Sequence, residues 1–197
     1  MTVFIDAQNT YKGARECFFG SPVHYVSGQF DPVRLGNLLA ARGGPKGAPC
    51  VLEQVRVYTG RPNSTKAPQT YGAHMKQCTA WEKQGAMVVW RPLRYPRDWP
   101  NRPAEEKGID VALSIDFISL TLDGAYDVGV LVSTDTDLLP ALEFVLDRFA
   151  GSPAPATAAW RGISARRRLA VQGKNLWCHW LRQEDYDAVA DPTDYNQ

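Results

Sequence analysis

The fold is decided by the stretch Lys107-Gly-Ile-Asp110, followed by an apolar helix, Tyr126-Asp-Val-Gly-Val-Leu-Val132 and Ser133-Thr-Asp-Thr-Asp137. A continuous apolar run is typical of a parallel strand that is buried on both faces of a sheet. Ligands of open α/β sheets bind beyond the carboxyl ends of such strands, which is where Asp135 and Asp137 stand. Carboxylates gathered at one point are costly unless a cation neutralises them. The stretch therefore predicts a divalent-metal site.

The first residues of the chain add two polar side chains to the same edge. Thr2-Val-Phe-Ile-Asp6 reads as a short buried strand that ends in an acid, and Asn9 follows three residues later. Both side chains could point into the crevice of the predicted site, or one of them could simply cap the next helix. The spacing alone does not separate these interpretations, but the acids further along the chain favour the metal site.

The apolar helix contains two acids that we interpret differently. Asp110 stands in its first turn, where the helix dipole favours a negative charge. Asp116 lies six residues on, about 240° further round the helix, and so does not share that face. We interpret Asp110 as an acid of the site. Asp116 is expected to support the ligating acids or to form an ion pair, and Ser133 is expected to support them as well.

Length and composition bound the class of protein. The 197 residues, 44% hydrophobic and 22% charged, fit one globular domain with a full core. The formal net charge of +1 excludes a uniformly basic coat for nucleic acid but leaves room for a local basic face. Asp6 interrupts the apolar residues at the start, and no signal peptide or membrane span fits there or elsewhere. We therefore expect a cytoplasmic protein without a membrane partner.

Hydrophobic periodicity predicts alternating strands and helices. Strands are expected near residues 2–6, 51–58, 86–90, 128–132, 155–160 and 175–180, and helices near 11–19, 32–41, 71–84, 110–122, 138–149 and 185–189. Such alternation is typical of an α/β domain with a mostly parallel central sheet that helices flank.

Basic residues are concentrated in three segments that follow predicted strands. One of them interleaves its arginines with Tyr95 and Trp99, a combination that suits phosphates and unstacked bases. A solvated, proline-stiffened loop is an equally good interpretation of that segment. The arginines that we expect to contact nucleic acid are Arg61, Arg91, Arg94, Arg97, Arg166, Arg167 and Arg168.

Three motifs together resemble the NYN domain, in its LabA-like bacterial branch: Phe4-Ile-Asp6-x-x-Asn9, Lys107-Gly-Ile-Asp110 with Asp116, and Ser133-Thr-Asp-Thr-Asp137. The similarity spans roughly residues 2–150, in the family's order. NYN domains belong to the PIN-like nuclease superfamily, so the resemblance implies a PIN-like three-layer α/β fold and RNA cleavage with Mg²⁺ or Mn²⁺. Carried over by position, it implies that Asp6, Asp110, Asp135 and Asp137 bind the metal and that Asn9 is their polar partner.

Residues 151–197 are expected to form an extension that packs on the NYN core of residues 1–150. It would comprise a strand, the second basic loop, a Trp-rich strand and a short helix. The four cysteines lie at positions 17, 50, 78 and 178, with no CxxC spacing. This spacing argues against a zinc ribbon and for reduced thiols.

The function that follows is a metal-dependent ribonuclease acting on single-stranded RNA, in which a metal-activated water attacks a phosphodiester in line. Asp6 and Asp135 are expected to ligate the metal, and Asp110 to complete the cluster. Asp137 would ligate or position the nucleophile, and Asn9 would orient a carboxylate or a phosphate. Two alternatives stay open: a non-catalytic RNA-binding or adaptor protein, and a nucleotide-sugar transferase with a DxD motif. The sequence does not separate a monomer from a homodimer.

Overall fold

A computed structural model describes residues 1–20, 22–149, 151–163 and 166–197. Its strands are β1 (Thr2–Asp6), β2 (Gln54–Arg61), β3 (Met87–Pro92), β4 (Val128–Val132), β5 (Ala154–Trp160) and β6 (Trp177–Leu181). They form one sheet in the order β3-β2-β1-β4-β5-β6, and every neighbouring pair is parallel. The predicted α/β class is confirmed, and the sheet is parallel throughout.

The order of the strands reverses at the centre of the sheet. From β1 the chain builds outward through β2 and β3, and then returns to the other side of β1 with β4, β5 and β6. Ligands of open parallel sheets bind at such a switch point, outside the carboxyl ends of the strands. The crevice between the ends of β1 and β4 is therefore the place in this fold where a site is expected.

Helices cover both faces of the sheet and complete a three-layer fold. They are α1 (Ala7–Phe18), α2 (Pro32–Arg42), α3 (Pro68–Lys83), α4 (Ile109–Leu122), α5 (Leu139–Arg148) and α6 (Gln183–Val189). The first three and α6 contribute to the core on one face, whereas α4 and α5 form the core on the other. This arrangement confirms the predicted PIN-like architecture.

The two cores follow from the period-two alternation of side chains along β1. Val3 and Ile5 pack into the core of the α1 face, while Phe4, between them, packs into the core of the α4 face. All three are fully buried. The ring of Phe4 meets that of Phe117 edge to face, with 5.2 Å between the centroids. Burying side chains of this size contributes about 1.5–3 kcal/mol each, so β1 is held firmly from both sides.

Two element boundaries differ from the sequence-based expectation. Helix α1 begins at Ala7 rather than at residue 11, because the carboxylate of Asp6 accepts the N–H of Asn9 at 3.1 Å and caps the helix. Strand β2 begins at Gln54 rather than at residue 51. Val51 is 81% exposed, and its carbonyl accepts a hydrogen bond from the chain's amino group at 2.8 Å, so it lies outside the ladder.

The last part of the chain continues the same sheet. Strand β5 pairs with β4, β6 pairs with β5, and Trp160, Leu181 and Tyr186 lie in one core with Val3 and Ile5. The indole N–H of Trp160 also donates to the carbonyl of Thr10 in α1, at 2.9 Å. The division of the chain at residue 150 stays a prediction.

All four cysteines are free thiols. Burial raises the pKa of Cys17 and of Cys178, and raises that of Cys78 to about 12, so these three thiols are poor nucleophiles. None of the helices in the described ranges is long and apolar enough to cross a bilayer.

We expect four thiols per chain to react with a thiol reagent in denatured, unreduced protein, because none is paired. In native protein Cys78 should react slowly, since it is buried. A sample reduced beforehand is the control. A lower count in the unreduced sample would contradict the assignment of free thiols.

Candidate metal centre

Asp6 ends β1 and is the most buried acid of the crevice, at 4% exposure. Its carboxylate accepts hydrogen bonds from the N–H of Asn9 at 3.1 Å and from Ser133 Oγ at 3.0 Å. Burial raises the pKa of Asp6 to about 7, repulsion from Asp110 and Glu106 acts in the same direction, and the two hydrogen bonds oppose the rise. The pocket is therefore costly for the ionised acid unless positive charge is added.

Asp110 reaches the crevice through a tight turn before α4. Gly108 adopts the left-handed conformation, with φ of +74°, and a Cβ atom there would lie 3.3 Å from Nε of Arg91. Glycine suits both requirements, which explains the residue at this point of the sequence. Burial raises the pKa of Asp110, and the charges of Asp135 and Asp137 raise it further.

The loop after β4 is tied to α1 by Asn9. The side-chain oxygen of Asn9 accepts the N–H of Thr134 at 2.9 Å and its hydroxyl at 3.2 Å. This oxygen therefore positions the loop that carries Asp135. The expected role of Asn9, to orient a carboxylate or a phosphate, stays a prediction.

A single hydroxyl joins the acids of β1 and β4. Ser133 Oγ donates to Asp6 and accepts the N–H of Asp135 at 3.1 Å. Asp135 in turn accepts the N–H of Asp137 at 3.0 Å and caps a 3₁₀ turn, Thr136–Leu138, that leads into α5. These bonds place Ser133 between Asp6 and Asp135, and its supporting role stays a prediction.

Three carboxylates converge at the switch point. Asp6, Asp110 and Asp135 each present an oxygen, and the three oxygens lie within 4.8 Å of one another. Hard oxygen donors suit Mg²⁺ and Mn²⁺, which bind carboxylates at about 2.0–2.2 Å. Because burial and mutual repulsion penalise their ionised forms, the three acids fit a divalent cation that would relieve both costs.

Two acids of the motifs lie apart from this group. The side chain of Asp137 is exposed, and its backbone N–H donates a hydrogen bond to the carboxylate of Asp135. Asp116 binds Nη2 of Arg56 at 2.6 Å and the hydroxyl of Tyr58 at 2.8 Å, and so forms the ion pair that was one of its two expected roles. The spacing Asp135-Thr-Asp137 thus contributes one carboxylate to the cluster, not the pair that a DxD motif would need.

Glu106 is a carboxyl near the site that the sequence did not single out. It is half-buried, and Oε1 accepts the N–H of Gly60 at 2.6 Å, at the end of β2. Burial raises its pKa, the charge of Asp110 raises it further, and Lys12 opposes the rise. It precedes α4 in an irregular segment, where neither helical nor strand periodicity indicates which way a side chain points.

The predicted basic residues lie in the last part of β3 or follow β3 and β5 along the chain. Arg91 lies in the last part of β3, beside Gly108, and Arg94 and Arg97 come just after that strand. Beyond β5, Arg166, Arg167 and Arg168 are exposed, and Arg167 approaches Glu16 at 3.7 Å. The two groups therefore follow strands on opposite sides of the switch point.

Arg61 differs from the other arginines. Its guanidinium carbon lies 3.1 Å from the centroid of the Trp90 ring, so it is stacked on an aromatic side chain of the neighbouring strand. Such stacking leaves the N–H groups at the edge of the guanidinium plane open to a phosphate.

The fold and the cluster define a parallel three-layer α/β domain with acids at its switch point. The family model of the NYN domain matches residues 1–149, and the chain belongs to this family, a member of the PIN-like nuclease superfamily. The family suggested by the three motifs is thus confirmed, while the LabA-like branch stays a prediction.

Among solved structures, the chain is similar to a protein of unknown function from Vibrio parahaemolyticus. The two share 18% identity, the match covers 81% of this chain and 78% of that chain, and the TM-score is 0.46. No protein with a curated description matches the chain significantly.

Proposed function

We propose that the protein is a divalent-metal-dependent ribonuclease with its centre at Asp6, Asp110 and Asp135. The observation that carries the proposal is the approach of their oxygens to within 4.8 Å, at the switch point of an NYN-family sheet. A bound Mg²⁺ or Mn²⁺ would polarise a phosphodiester and assist ionisation of the attacking water. Hydrolysis joins the water oxygen to phosphorus and releases a ribose oxygen of the RNA.

The residues of the chain have separate tasks in this proposal. Asp6 and Asp135 hold the cation, and Asp110 completes the set from the first turn of α4. Ser133 fixes the two strand-end acids relative to each other through its two hydrogen bonds. Asp137, exposed two residues beyond Asp135, acts on the substrate side, where it positions the attacking water.

The proposed substrate is single-stranded RNA in the cytoplasm. The arginines beyond β3 and β5 would contact its phosphates on either side of the cluster, since backbone contacts position a nucleic acid without reading its sequence. Free thiols suit a reducing compartment.

Activity is tested by incubating the purified protein with single-stranded RNA, double-stranded RNA and single-stranded DNA. We expect cleavage of the single-stranded RNA with Mn²⁺ or Mg²⁺, and none in EDTA. RNA binding without cleavage of any substrate would overturn the ribonuclease and favour the adaptor protein. A thermal shift with UDP-sugars and none with RNA would favour the transferase.

Replacing Arg94, Arg97 and Arg166 to Arg168 by Gln is expected to weaken RNA binding uniformly across sequences. Each lost phosphate contact should reduce the slope of log K against log salt by about 0.7–1. Arg148→Gln is the matched control, because that arginine is exposed at the far end of α5 and lies over Phe144. Unchanged affinity and slope in the multiple variant would remove both segments from the binding surface.

A further inference from the structure

Helix α4 has an apolar face that the fold leaves in solvent. Apolar residues lie almost all round this helix, a pattern that is typical of a helix buried on every side. One side packs into the core, but on the other side Val111 is 60% exposed, Ile115 57% and Leu122 51%. Among the helices of the described ranges, no other exposes more than one large apolar side chain. The outer face of α4 therefore has the composition of a contact surface.

The exposed side chains form a stripe with the spacing of a coiled coil. Val111, Ile115, Ile118 and Leu122 follow one another at intervals of four, three and four residues, and Ile118 is half-buried. At about 100° per residue, these four positions lie within about 60° of arc on the helix. We call them the α4 stripe. The same alternation of intervals forms the seam between two packed helices, so the stripe fits a second helix laid along it.

The stripe is symmetric about its own midpoint. Its intervals read four, three and four in both directions, so a second copy of α4 laid antiparallel meets it in register. Val111 then lies beside Leu122 of the partner subunit, and Ile115 lies beside Ile118 of the partner subunit. A two-fold interface requires one surface to match itself in this way. The spacing therefore favours a second copy of this chain over an unrelated helix.

The polar residues around the stripe match under the same two-fold axis. Ser114 comes opposite Ser119 of the partner subunit, and each hydroxyl can both donate and accept a hydrogen bond. Lys107 precedes α4 and Asp123 ends it, and both are exposed. Each charge lies at the end of its own helix where the dipole disfavours it. Antiparallel packing brings Lys107 near Asp123 of the partner subunit, and each charge near the end of the other helix that favours it. Such pairs at the rim fix orientation more than affinity.

We propose that the α4 stripe is a homodimer interface, in which two copies of the protein pack α4 against α4 antiparallel. One pair of helices buries less surface than a standard interface, so the dimer is weak, with a dissociation constant of about 1–100 µM. Asp110 opens α4, and the two carboxylate clusters would therefore lie at opposite ends of the helix pair, about 20 Å apart along its axis. Dimerisation requires neither metal nor RNA, and so is independent of the proposed ribonuclease function.

The first test is sedimentation of the full chain over about 1–200 µM. We expect the mass to rise with concentration from 21.9 kDa towards twice that value. Ile115→Glu should weaken dimerisation by more than about a hundredfold, because each dimer would bury two unpaired charges. Val51→Glu is the matched control, since Val51 is 81% exposed and lies outside α4. Melting curves show whether the variants fold, and Ile115→Ser, which adds no charge, should weaken the dimer by about tenfold or more.

The second test measures the direction of packing by disulfide cross-linking. Positions 111 and 122 are about 16 Å apart along one helix, which is too far for a disulfide within the chain. Under mild oxidation, a mixture of Val111→Cys and Leu122→Cys chains should form a covalent dimer, whereas neither variant alone should. Wild-type protein is the control for its four native thiols. Cross-linking of Val111→Cys with itself would indicate parallel helices and overturn the proposed packing.

The oligomeric state decides between the second copy and other occupants of the stripe. Wild-type protein that stays monomeric throughout the concentration range would overturn the homodimer and leave the stripe for a helix of a different protein. A dimer that folded Ile115→Glu protein forms as readily as wild type would place the interface on another face and also overturn the proposal.

Discussion

Asp135→Asn is expected to lose metal-dependent RNA cleavage by more than about a hundredfold while keeping its fold. Changes in the residues that merely support metal ligands cost about 10–100-fold, so loss of a ligating anion should cost more. The amide keeps the shape of the side chain and can still accept the N–H of Asp137. Removing one of three crowded charges also favours the metal-free protein. Activity and melting temperature should be measured on one sample, with and without Mn²⁺.

The matched control is Asp123→Asn. Asp123 is exposed at the end of α4, away from the carboxyl edge of the sheet, and its substitution should leave cleavage unchanged. The Asp137→Asn variant tests the second acid of the motif separately from Asp135. The metal-induced rise in the melting temperature of this variant should stay close to the rise seen in wild type. Full cleavage by a folded Asp135→Asn protein would rule out the role assigned to Asp135.

Asp6→Asn is expected to stabilise the metal-free protein by about 2–4 kcal/mol at about pH 8. The pKa of Asp6 is about 7 in the folded protein, whereas its ordinary value is 3.8, and a pKa difference of one corresponds to about 1.4 kcal/mol. At pH values between these two pKa values, Asp6 is protonated to a greater extent in the folded chain than in the unfolded chain. The free energy of unfolding of the wild type therefore falls as pH rises through this window, and the group's stabilising contribution is complete only below it.

This effect is measured as melting temperature in EDTA across the same pH range. The variant should melt about 4–16 °C above wild type at about pH 8, and the difference should vanish at about pH 4. Asp110 and Glu106 retain their raised pKa values in the variant, so a weaker pH dependence should persist. Saturating Mn²⁺ should reverse the order of the two proteins. A difference that is independent of pH would show that the charge of Asp6 is not its cause.

Much of this centre follows from elementary rules applied to the sequence. Apolar runs that end at Asp6 and just before Ser133 predict buried parallel strands, and parallel strands bring their carboxyl ends to one edge. Helical periodicity separates Asp110 from Asp116, and the structure places only the first near the two strand-end acids. These inferences use only local periodicity and one topological rule, and both can be applied without knowledge of the tertiary structure.

Other parts of the centre depend on tertiary structure and could not be predicted in this way. Asp137 lies in a 3₁₀ turn that Asp135 caps by accepting the N–H of Asp137, and this turn determines where the side chain of Asp137 lies. Glu106 stands in a segment without periodicity, and its position depends on the N–H of Gly60.

The most direct test of the carboxylate centre is the anomalous scattering of crystals soaked in Mn²⁺. The account predicts a peak between Asp6, Asp110 and Asp135, with a carboxylate oxygen of each at about 2.0–2.2 Å. Asp123→Asn crystals should show the same peak, and Asp135→Asn crystals should lose it or show it weakened. Mn²⁺ bound elsewhere on the protein, with no peak between these three carboxylates at saturating concentration, would contradict the account.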